Sequence, residues 1–311
     1  MCRVLFMLHD GRTREATKSV DEIVEWFRSQ AFLPKYTPLM EEMETIDGDY
    51  HQDGIGFAYC FKEESKEESK ESDMFSWKMD KSVDMAFPFQ ISRSICDSCS
   101  SRTRKATIMY LIGHLRHRGE DCAGEVDIRN THPFQDKTSR TVFCHNGKIL
   151  DFIVHRHWLR QTYCHSRYER DIQGETDSEL IFYMLLTLAE EEEERERDGQ
   201  RWKNVFQRFH DILSSAGIIY FGNFVVATPV KVFVTRLTNH PSLPPCSLYY
   251  DRVLQMISSE PLPIIDDDDD GDRVVELVPP QTIIQWDLSS RQIEKRWSLS
   301  PPKEGNLTTD R

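Results

Sequence analysis

The amino-acid sequence predicts an α+β fold built as a single domain. Short apolar runs of strand type recur along the 311 residues, and two segments show the apolar spacing of helices. The two types come in blocks rather than in strict alternation, which favours a layered α+β fold over parallel βαβ units. No internal repeat is visible, and the chain is long enough for one large core. We therefore expect one domain over residues 1–311.

The expected strands are short apolar or β-branched runs between polar or turn residues. They are Val4–Leu8, Gly56–Phe61, Thr107–Leu111, Arg140–Cys144, Lys148–Ile149, Ile218–Val226, Lys231–Thr235, Val274–Leu277 and Thr282–Trp286. His145-Asn146-Gly147 stands between two of these runs and has the composition of a hairpin turn, so we expect the chain to reverse there. A Thr-Pro turn is expected to join the strands on either side of Thr228-Pro229.

Two helices are predicted in the second half of the chain. In Ser178–Glu190 the apolar residues recur at helical spacing, and Thr176 or Asp177 can cap the first turn. Glu179 lies in that first turn, where a negative charge complements the helix dipole. Val205–Leu213 is the second helix, with its apolar residues on one side.

Three charged runs predict exposed insertions near residues 62–73, 190–200 and 266–272. They contain KEESKEESKES, EEEEERERD and five consecutive aspartates. Such charge blocks bury little apolar surface and usually stay in solvent. Ordered calcium sites space their carboxylates around a turn, so these unbroken runs favour solvated loops over metal clusters.

Charge and composition exclude several classes of protein. A net charge of -13 disfavours a nucleic-acid groove and an anionic membrane surface, because both need clustered Lys and Arg. No run of about 18 apolar residues is present, so no transmembrane helix is expected. The first residues lack the layout of a signal peptide. We expect a cytoplasmic protein whose eight cysteines are reduced thiols.

Cys96 and Cys99 form a CxxC pair. A zinc site with four ligands needs a second pair at similar spacing, and the sequence has none. The scattered residues Cys144-His145, His155-Arg156-His157 and Cys164-His165 are the other available ligands. The pattern favours an incidental pair in a polar loop over a metal or redox site.

Cys2 stands directly behind Met1. Removal of Met1 is favoured by a small second residue, and it would leave a thiol and a free α-amine on Cys2. An α-amine titrates near pH ~8, so at neutral pH a useful fraction can accept the thiol proton. Cys2 is therefore a candidate nucleophile, although its position alone favours an ordinary second residue.

Six polar motifs follow one another along the chain. They are Cys2-Arg3, His51-Gln52-Asp53-Gly54-Ile55-Gly56, Gly113-His114-Leu115-Arg116, Asn130-Thr131-His132-Pro133-Phe134, Phe143-Cys144-His145-Asn146-Gly147-Lys148-Ile149 and Thr176-Asp177-Ser178-Glu179. In this order they closely resemble the class II glutamine amidotransferase domain, a branch of the N-terminal nucleophile hydrolases. The resemblance runs from Cys2 to about Leu213 and implies a four-layer αββα sandwich.

A weaker resemblance continues beyond this domain. It rests on Asn223-Phe224-Val225-Val226, Val234-Thr235-Arg236 and Ile257-Ser258-Ser259-Glu260-Pro261-Leu262. This tail looks like the stand-alone branch of the family, which includes the glutathione-degradation subunit of fungi and the γ-glutamyl hydrolase of ergothioneine synthesis. We therefore expect no fused synthase.

The resemblance implies an amidohydrolase or γ-glutamyl transferase. Its substrate is glutamine or a γ-glutamyl amide such as a γ-glutamyl peptide, and Cys2 forms a γ-glutamyl thioester that water or an amine resolves. The Asn146 side chain and the Gly147 N–H match the family's oxyanion donors. Arg116 matches the arginine that binds the α-carboxylate, and Asp177 the carboxylate that binds the α-ammonium. No metal or organic cofactor is implied.

The resemblance also implies three supporting residues. His51 and Asp53 are expected to shape the loop facing Cys2. His132 is expected to support the pocket, because the base in this family is the free α-amine; a proton-transfer role for His132 is the less favoured alternative. His114 and His145 are expected to be hydrogen-bonded scaffold residues.

Two positions depart from the family's pattern. Gly119 stands where relatives usually carry a Thr that contacts the substrate, and Arg118 adds a cation beside it. We expect Arg118 to favour a substrate with an anionic distal group. Four alternatives stay open: an enzyme active alone, a subunit that serves a separate acceptor or partner protein, a non-catalytic protein that keeps the fold, and a metal or redox protein built on Cys96 and Cys99.

Overall fold

The structure is a computed structural model that describes residues 2–8, 20–32, 52–63, 75–85, 106–119, 123–193, 200–262, 274–288, 290 and 292–299. Within these ranges the strands in chain order are β1 (Arg3–Leu8), β2 (Ile55–Glu63), β3 (Phe75–Ser82), β4 (Ala106–Leu115), β5 (Phe134–Asp136), β6 (Thr141–Ile149), β7 (Tyr220–Ala227), β8 (Lys231–Thr238), β9 (Tyr249–Asp251), β10 (Met256–Ser258), β11 (Val275–Leu277), β12 (Thr282–Asp287) and β13 (Gln292–Ser298). The helices are α1 (Val20–Ser29), α2 (Phe152–Tyr163), α3 (Asp177–Glu193) and α4 (Arg201–Ser215).

The strands form two antiparallel sheets. The first sheet has the order β11-β9-β10-β1-β4-β2-β3, and the second has the order β13-β12-β8-β7-β6-β5. β1 lies in the middle of the first sheet, between β10 and β4, and every residue from Arg3 to Leu8 is buried. An uninterrupted apolar run is the pattern of a strand that is covered on both faces.

The two sheets pack face to face around an apolar core. Val4, Phe6 and Leu8 of β1 point into this core, and Trp286 of β12 meets them from the opposite sheet. The rings of Phe6 and Trp286 lie edge to face, with centroids 5.2 Å apart. Alternate residues of each strand face the other sheet, so one face of each sheet is committed to this contact.

Helices cover the outer face of each sheet. On the first sheet, Phe27 of α1 packs against Phe57 of β2 with ring centroids 6.0 Å apart. On the second sheet, Phe182 of α3 stacks on Phe143 of β6 at 5.3 Å. The order of layers is therefore α, β, β, α, and the predicted α+β class with its four-layer αββα sandwich is confirmed.

The predicted hairpin turn at His145-Asn146-Gly147 is wrong. These residues continue β6 without a break and pair in register with Phe224, Asn223 and Gly222 of β7. An Asn-Gly pair is favoured in turns because of its local conformational freedom. Here the pairing with β7 keeps both residues in an extended strand instead. Gly147 instead allows β6 and β7 to approach each other closely, since a Cβ at this position would lie 2.1 Å from the Phe221 carbonyl oxygen.

The remaining predicted elements are present, with shifted bounds. The predicted helix Ser178–Glu190 corresponds to α3, which continues to Glu193. It therefore includes the start of the charged run that was predicted as an insertion near 190–200. Arg208 of α4 binds Glu191 and Glu192 at 2.6 and 2.8 Å, which explains why this part of the run is ordered. Most of the insertion near 62–73 and all of that near 266–272 lie outside the described residues, as do Cys96 and Cys99.

Candidate active site

Cys2 stands immediately before β1 and is partly exposed. Its sulfur accepts a hydrogen bond from the backbone N–H of His117 at 3.4 Å and lies 3.7 Å from the His117 carbonyl oxygen. His117 follows the end of β4, the neighbour of β1 in the sheet. The thiol therefore lies at the end of the first sheet where β1 begins, against residues 116–118.

Asp53 fixes the segment that contacts Cys2. Its carboxylate accepts the backbone N–H of Arg118 at 2.7 Å, and its own N–H donates to the Arg116 carbonyl oxygen at 3.2 Å. The N–H of Arg116 in turn donates to Gly54 at 2.7 Å. These bonds join Asp53 to the segment beside Cys2, and its role in shaping the loop there stays a prediction. His51, predicted for the same role, lies outside the described residues.

His132, two residues before β5, packs against the start of β2. A Cβ on Gly56 would lie 2.0 Å from the His132 carbonyl oxygen, so only glycine allows this approach. The His132 ring lies 3.9 Å from the His114 ring, and neither of its nitrogens has a hydrogen-bond partner among the described residues. Burial lowers the pKa of His132 well below its usual range. A neutral, packed imidazole suits a supporting role.

Asn146 projects from β6 toward the start of β1. Its amide nitrogen donates to the Ser259 hydroxyl oxygen at 3.3 Å, and the same oxygen accepts the N–H of Val4 at 2.9 Å. Ser259 follows β10 and is fully buried. Asn146 is thus tied, through one serine, to the strand that carries Cys2.

A hydrogen-bonded path crosses from the first sheet to α3. His114 bonds the carbonyl oxygen of His145 at 3.0 Å, the His145 ring bonds the Ser178 hydroxyl at 2.9 Å, and that hydroxyl donates to Asp177 at 3.3 Å. Burial lowers the pKa of His114 to about 3, and it lowers the pKa of His145 as well. The lowered pKa favours the neutral form of each imidazole, and their role as scaffold residues stays a prediction.

Asp177 ties the start of α3 to the end of β6. One carboxylate oxygen accepts the N–H of Ile149 at 2.9 Å, and the other accepts the N–H of Ser178 at 2.7 Å. The capping bond is made by Thr176, whose hydroxyl accepts the N–H of Glu179 at 3.2 Å. Each Asp177 oxygen has more than one lone pair, so these bonds leave room for a ligand cation.

Arg116 is buried, and two carbonyl oxygens orient its guanidinium. They belong to Glu125 at 2.8 Å and Gly124 at 3.1 Å. The planar guanidinium has five N–H donors in a fixed geometry, so these bonds set the plane in which a carboxylate can be received. Arg118 is more exposed, and its guanidinium lies 3.6 Å from the Glu125 carboxylate.

Several linking residues were missed by the sequence analysis. Ser259 appeared only as part of a tail motif, and Ser178 was given no role. Glu260 forms a buried ion pair with Arg3 at 3.0 Å, directly behind Cys2. For Ser259 and Glu260 the available signal was a pair of polar residues directly after the apolar run of β10, which a buried site explains and a simple core does not. Among the described residues, no group of three or more His, Cys, Asp or Glu is placed to hold a metal ion.

Lys81 places a partly buried ammonium group close to this region. It pairs with Gly56 across β3 and β2, and its ammonium donates to the Thr131 carbonyl oxygen at 2.8 Å. Burial lowers its pKa from 10.5 to about 8. The folded protein therefore holds fewer protons than the unfolded chain between about pH 8 and 10.5, and stability contributed by this site rises with pH in that window.

We expect Lys81→Met to remove this pH dependence. In urea unfolding between pH 7.5 and 10.5, the wild type should gain free energy of unfolding relative to Lys81→Met as the pH rises. Lys78→Met, on the same strand, is the matched control and should track the wild type. Parallel curves for the wild type and Lys81→Met would contradict the prediction.

Comparisons with known proteins bear on this site. Residues 46–240, more than half of the chain, match the family model of the class-II glutamine amidotransferases. The matched range contains Asp53, Arg116, Asn146 and Asp177 but begins after Cys2. No curated protein matches the chain.

Several solved structures are similar in fold. A glutamine aminotransferase class-II domain protein from Silicibacter pomeroyi is 14% identical with a TM-score of 0.46, over 80% of this chain and 92% of that one. A predicted glutamine amidotransferase from Pseudomonas aeruginosa is 15% identical with a TM-score of 0.43, over 94% and 95%. The glutamine phosphoribosylpyrophosphate amidotransferase of B. subtilis is 13% identical with a TM-score of 0.49, over 96% of this chain and 49% of that one. This chain spans about half the length of the B. subtilis enzyme.

Proposed function

The chain belongs to the class II glutamine amidotransferase family, and on that premise we propose that it is a thiol-dependent amidohydrolase or γ-glutamyl transferase. Its substrate is glutamine or a γ-glutamyl amide, such as a γ-glutamyl peptide. The observation that carries the proposal is the shared bond of Ser259 to Val4 and Asn146, which sets a candidate oxyanion donor beside the strand of the candidate nucleophile. A nucleophile and an oxyanion donor in fixed relation are the core requirement of acyl transfer.

The proposed reaction has two steps. The Cys2 thiolate attacks the γ-carbonyl carbon, a C–S bond forms, and the C–N bond breaks so that ammonia or an amine leaves with a proton. Water then adds to the γ-glutamyl thioester, releasing the γ-carboxylate and returning the thiol; an acceptor amine in place of water gives transfer. The Asn146 amide and the Gly147 N–H donate to the oxyanion that forms in each step.

The base in this proposal is the α-amine of Cys2 after removal of Met1. The buried imidazoles of His114 and His132 are poor alternatives, because burial lowers the pKa of both and they resist taking up a proton. The reference pKa of an α-amine is near ~8, so a useful fraction of such a group is unprotonated at neutral pH and can act as a base.

The substrate is held by its amino-acid end. Arg116 binds the α-carboxylate through a guanidinium whose plane is set by two carbonyl oxygens. Asp177, at the start of α3, binds the α-ammonium. Together these two charges select a substrate with a free α-carboxylate and a free α-ammonium group. They place no constraint on the group attached to the amide nitrogen, so that group can vary.

The test is labelling with the glutamine analogue diazo-oxo-norleucine, followed by intact and peptide mass spectrometry. We expect loss of Met1 and one adduct on Cys2. Cys60→Ser, which changes a buried thiol away from this site, is the control and should label normally. Retention of Met1 together with no adduct would overturn the enzymatic proposal and favour a non-catalytic protein of this fold.

A partner-dependent form of the same activity is the second candidate. Ile153 and Val154 are 72% and 76% exposed on α2, which begins soon after β6. Exposed apolar residues near the oxyanion strand suit contact with a separate acceptor or partner subunit. Loss of Met1 without labelling of Cys2, restored by an added partner protein, would favour this candidate.

The cytoplasm is the proposed location. None of the five cysteines in the described ranges forms a disulfide, as suits a reducing compartment. No helix in the part of the chain that the structure describes is long and apolar enough to cross a membrane.

Arg118 is the proposed source of selectivity for an anionic distal group. We expect Arg118→Ala to lower kcat/KM for a γ-glutamyl dipeptide by about fivefold and to leave glutamine hydrolysis nearly unchanged, since one exposed ion pair is worth about 1 kcal/mol. Arg129→Ala, which removes an exposed arginine paired with Asp127, is the control. An unchanged ratio of the two substrates would contradict the role of Arg118.

A further inference from the structure

The segment after β10 is hydrogen-bonded to β1. Ser259 engages both backbone groups of Val4: its N–H donates to the Val4 carbonyl oxygen at 3.0 Å, and its hydroxyl oxygen accepts the Val4 N–H at 2.9 Å. Ser247 in turn bonds the Ser259 carbonyl oxygen at 2.9 Å. Ser259 is 1% exposed, so its position relative to β1 is fixed by buried bonds.

The same hydroxyl restrains the Asn146 side chain. Among the described residues, the Asn146 amide nitrogen bonds Ser259, whereas its amide oxygen is buried without a partner. A primary amide carries two N–H groups on nitrogen, so one N–H can bond Ser259 while the other stays available. If the amide turned over, its oxygen would face an oxyanion and repel it.

We propose that Ser259 is a positioning residue that sets the orientation of the Asn146 amide toward the oxyanion formed at Cys2. The inference rests on the proposed function and deepens it. Ser259 acts through Asn146, because its hydroxyl ties this candidate oxyanion donor to β1 across the two sheets. Positional errors of about 1 Å in such groups can cost about 100-fold in rate.

The test compares Ser259→Ala with Ser258→Ala, its equally buried neighbour. We expect Ser259→Ala to lower kcat for glutamine about 10- to 100-fold with KM changed less than about threefold, because the restraint matters in the transition state. Alkylation of Cys2 by iodoacetamide, which needs no oxyanion donor, should be unchanged. Ser259→Thr keeps the hydroxyl and should restore most of the rate, and Ser258→Ala should resemble the wild type.

A double-mutant cycle separates positioning from general stability. If Ser259 acts through Asn146, Ser259→Ala should add less than about threefold to the loss caused by Asn146→Ala. Losses that multiply, or equal losses in Ser259→Ala and Ser258→Ala that follow the loss of thermal stability, would overturn the proposal.

A readout that is independent of activity distinguishes failure of this inference from failure of the proposed function. In protein labelled with ¹⁵N-asparagine, the side-chain NH₂ signals of Asn146 are assigned by their loss in Asn146→Ala. We expect them to shift and to exchange faster in Ser259→Ala but not in Ser258→Ala. Unchanged signals would overturn the positioning role, whereas a wild type that retains Met1 and is unlabelled by diazo-oxo-norleucine would overturn the proposed function.

Discussion

Gly147→Ala is expected to destabilise the protein by about 3 kcal/mol or more, the upper range for overpacking a rigid site. The new Cβ would lie 2.1 Å from the Phe221 carbonyl oxygen and 2.5 Å from the Gly222 Cα. Both are backbone atoms of β7, so β6 and β7 must move apart or lose bonds of their ladder. Urea unfolding, monitored by circular dichroism, measures the loss.

Gly217→Ala is the control for this prediction. Gly217 has φ +69°, but no atom lies within 4 Å of the position that its Cβ would take. The control therefore reports backbone strain alone, about 1 kcal/mol. If Gly147→Ala unfolds at the same urea concentration as the wild type, β6 does not approach β7 as closely as described.

Asn146→Ala is expected to lower kcat for glutamine hydrolysis about 100- to 1,000-fold, with KM nearly unchanged. An oxyanion donor acts mainly in the transition state, and the loss of one such donor has this magnitude. The variant makes no clash, so its unfolding midpoint should fall much less than that of Gly147→Ala. Steady-state kinetics on protein of verified fold is the measurement.

Asn223→Ala offers a matched control across the strand pair. Asn223 lies directly opposite Asn146, is fully buried, and donates to the carbonyl oxygens of Cys246 and Ser247. Its loss should lower stability, because buried carbonyl groups lose a donor, while kcat of the folded protein stays close to that of the wild type. Equal losses of kcat in both variants would assign Asn146 a structural role.

Strand predictions succeeded where apolar runs are dense. β1 and β7 lie inside the sandwich, so their sequences are almost continuously apolar and easy to recognise. α2 was missed because Phe152 and Leu159 are its buried residues while Ile153 and Val154 face solvent, which obscures the helical period. α1 was missed although Ile23, Val24 and Phe27 carry a usable period.

The error at Asn146 and Gly147 has a different cause. Local composition favours a turn, and the opposing strand that overrides it lies some 75 residues further along the chain. The motif order predicted these residues as site candidates even though their secondary structure was predicted wrongly. Ser259 could not be assigned a role from sequence, because its partners Val4 and Asn146 are 255 and 113 residues away.

The central position of β1 has a consequence for synthesis. Its partner β10 and the Glu260 carboxylate that binds Arg3 are made last among its neighbours, and 257 residues separate Arg3 from Glu260. At ribosomal rates of about 5–20 residues per second, the first residues wait roughly 10–50 s before the strand can close. During that interval the amino terminus is not yet covered by β10, so the removal of Met1 that the proposed function requires has time to occur before Cys2 is packed.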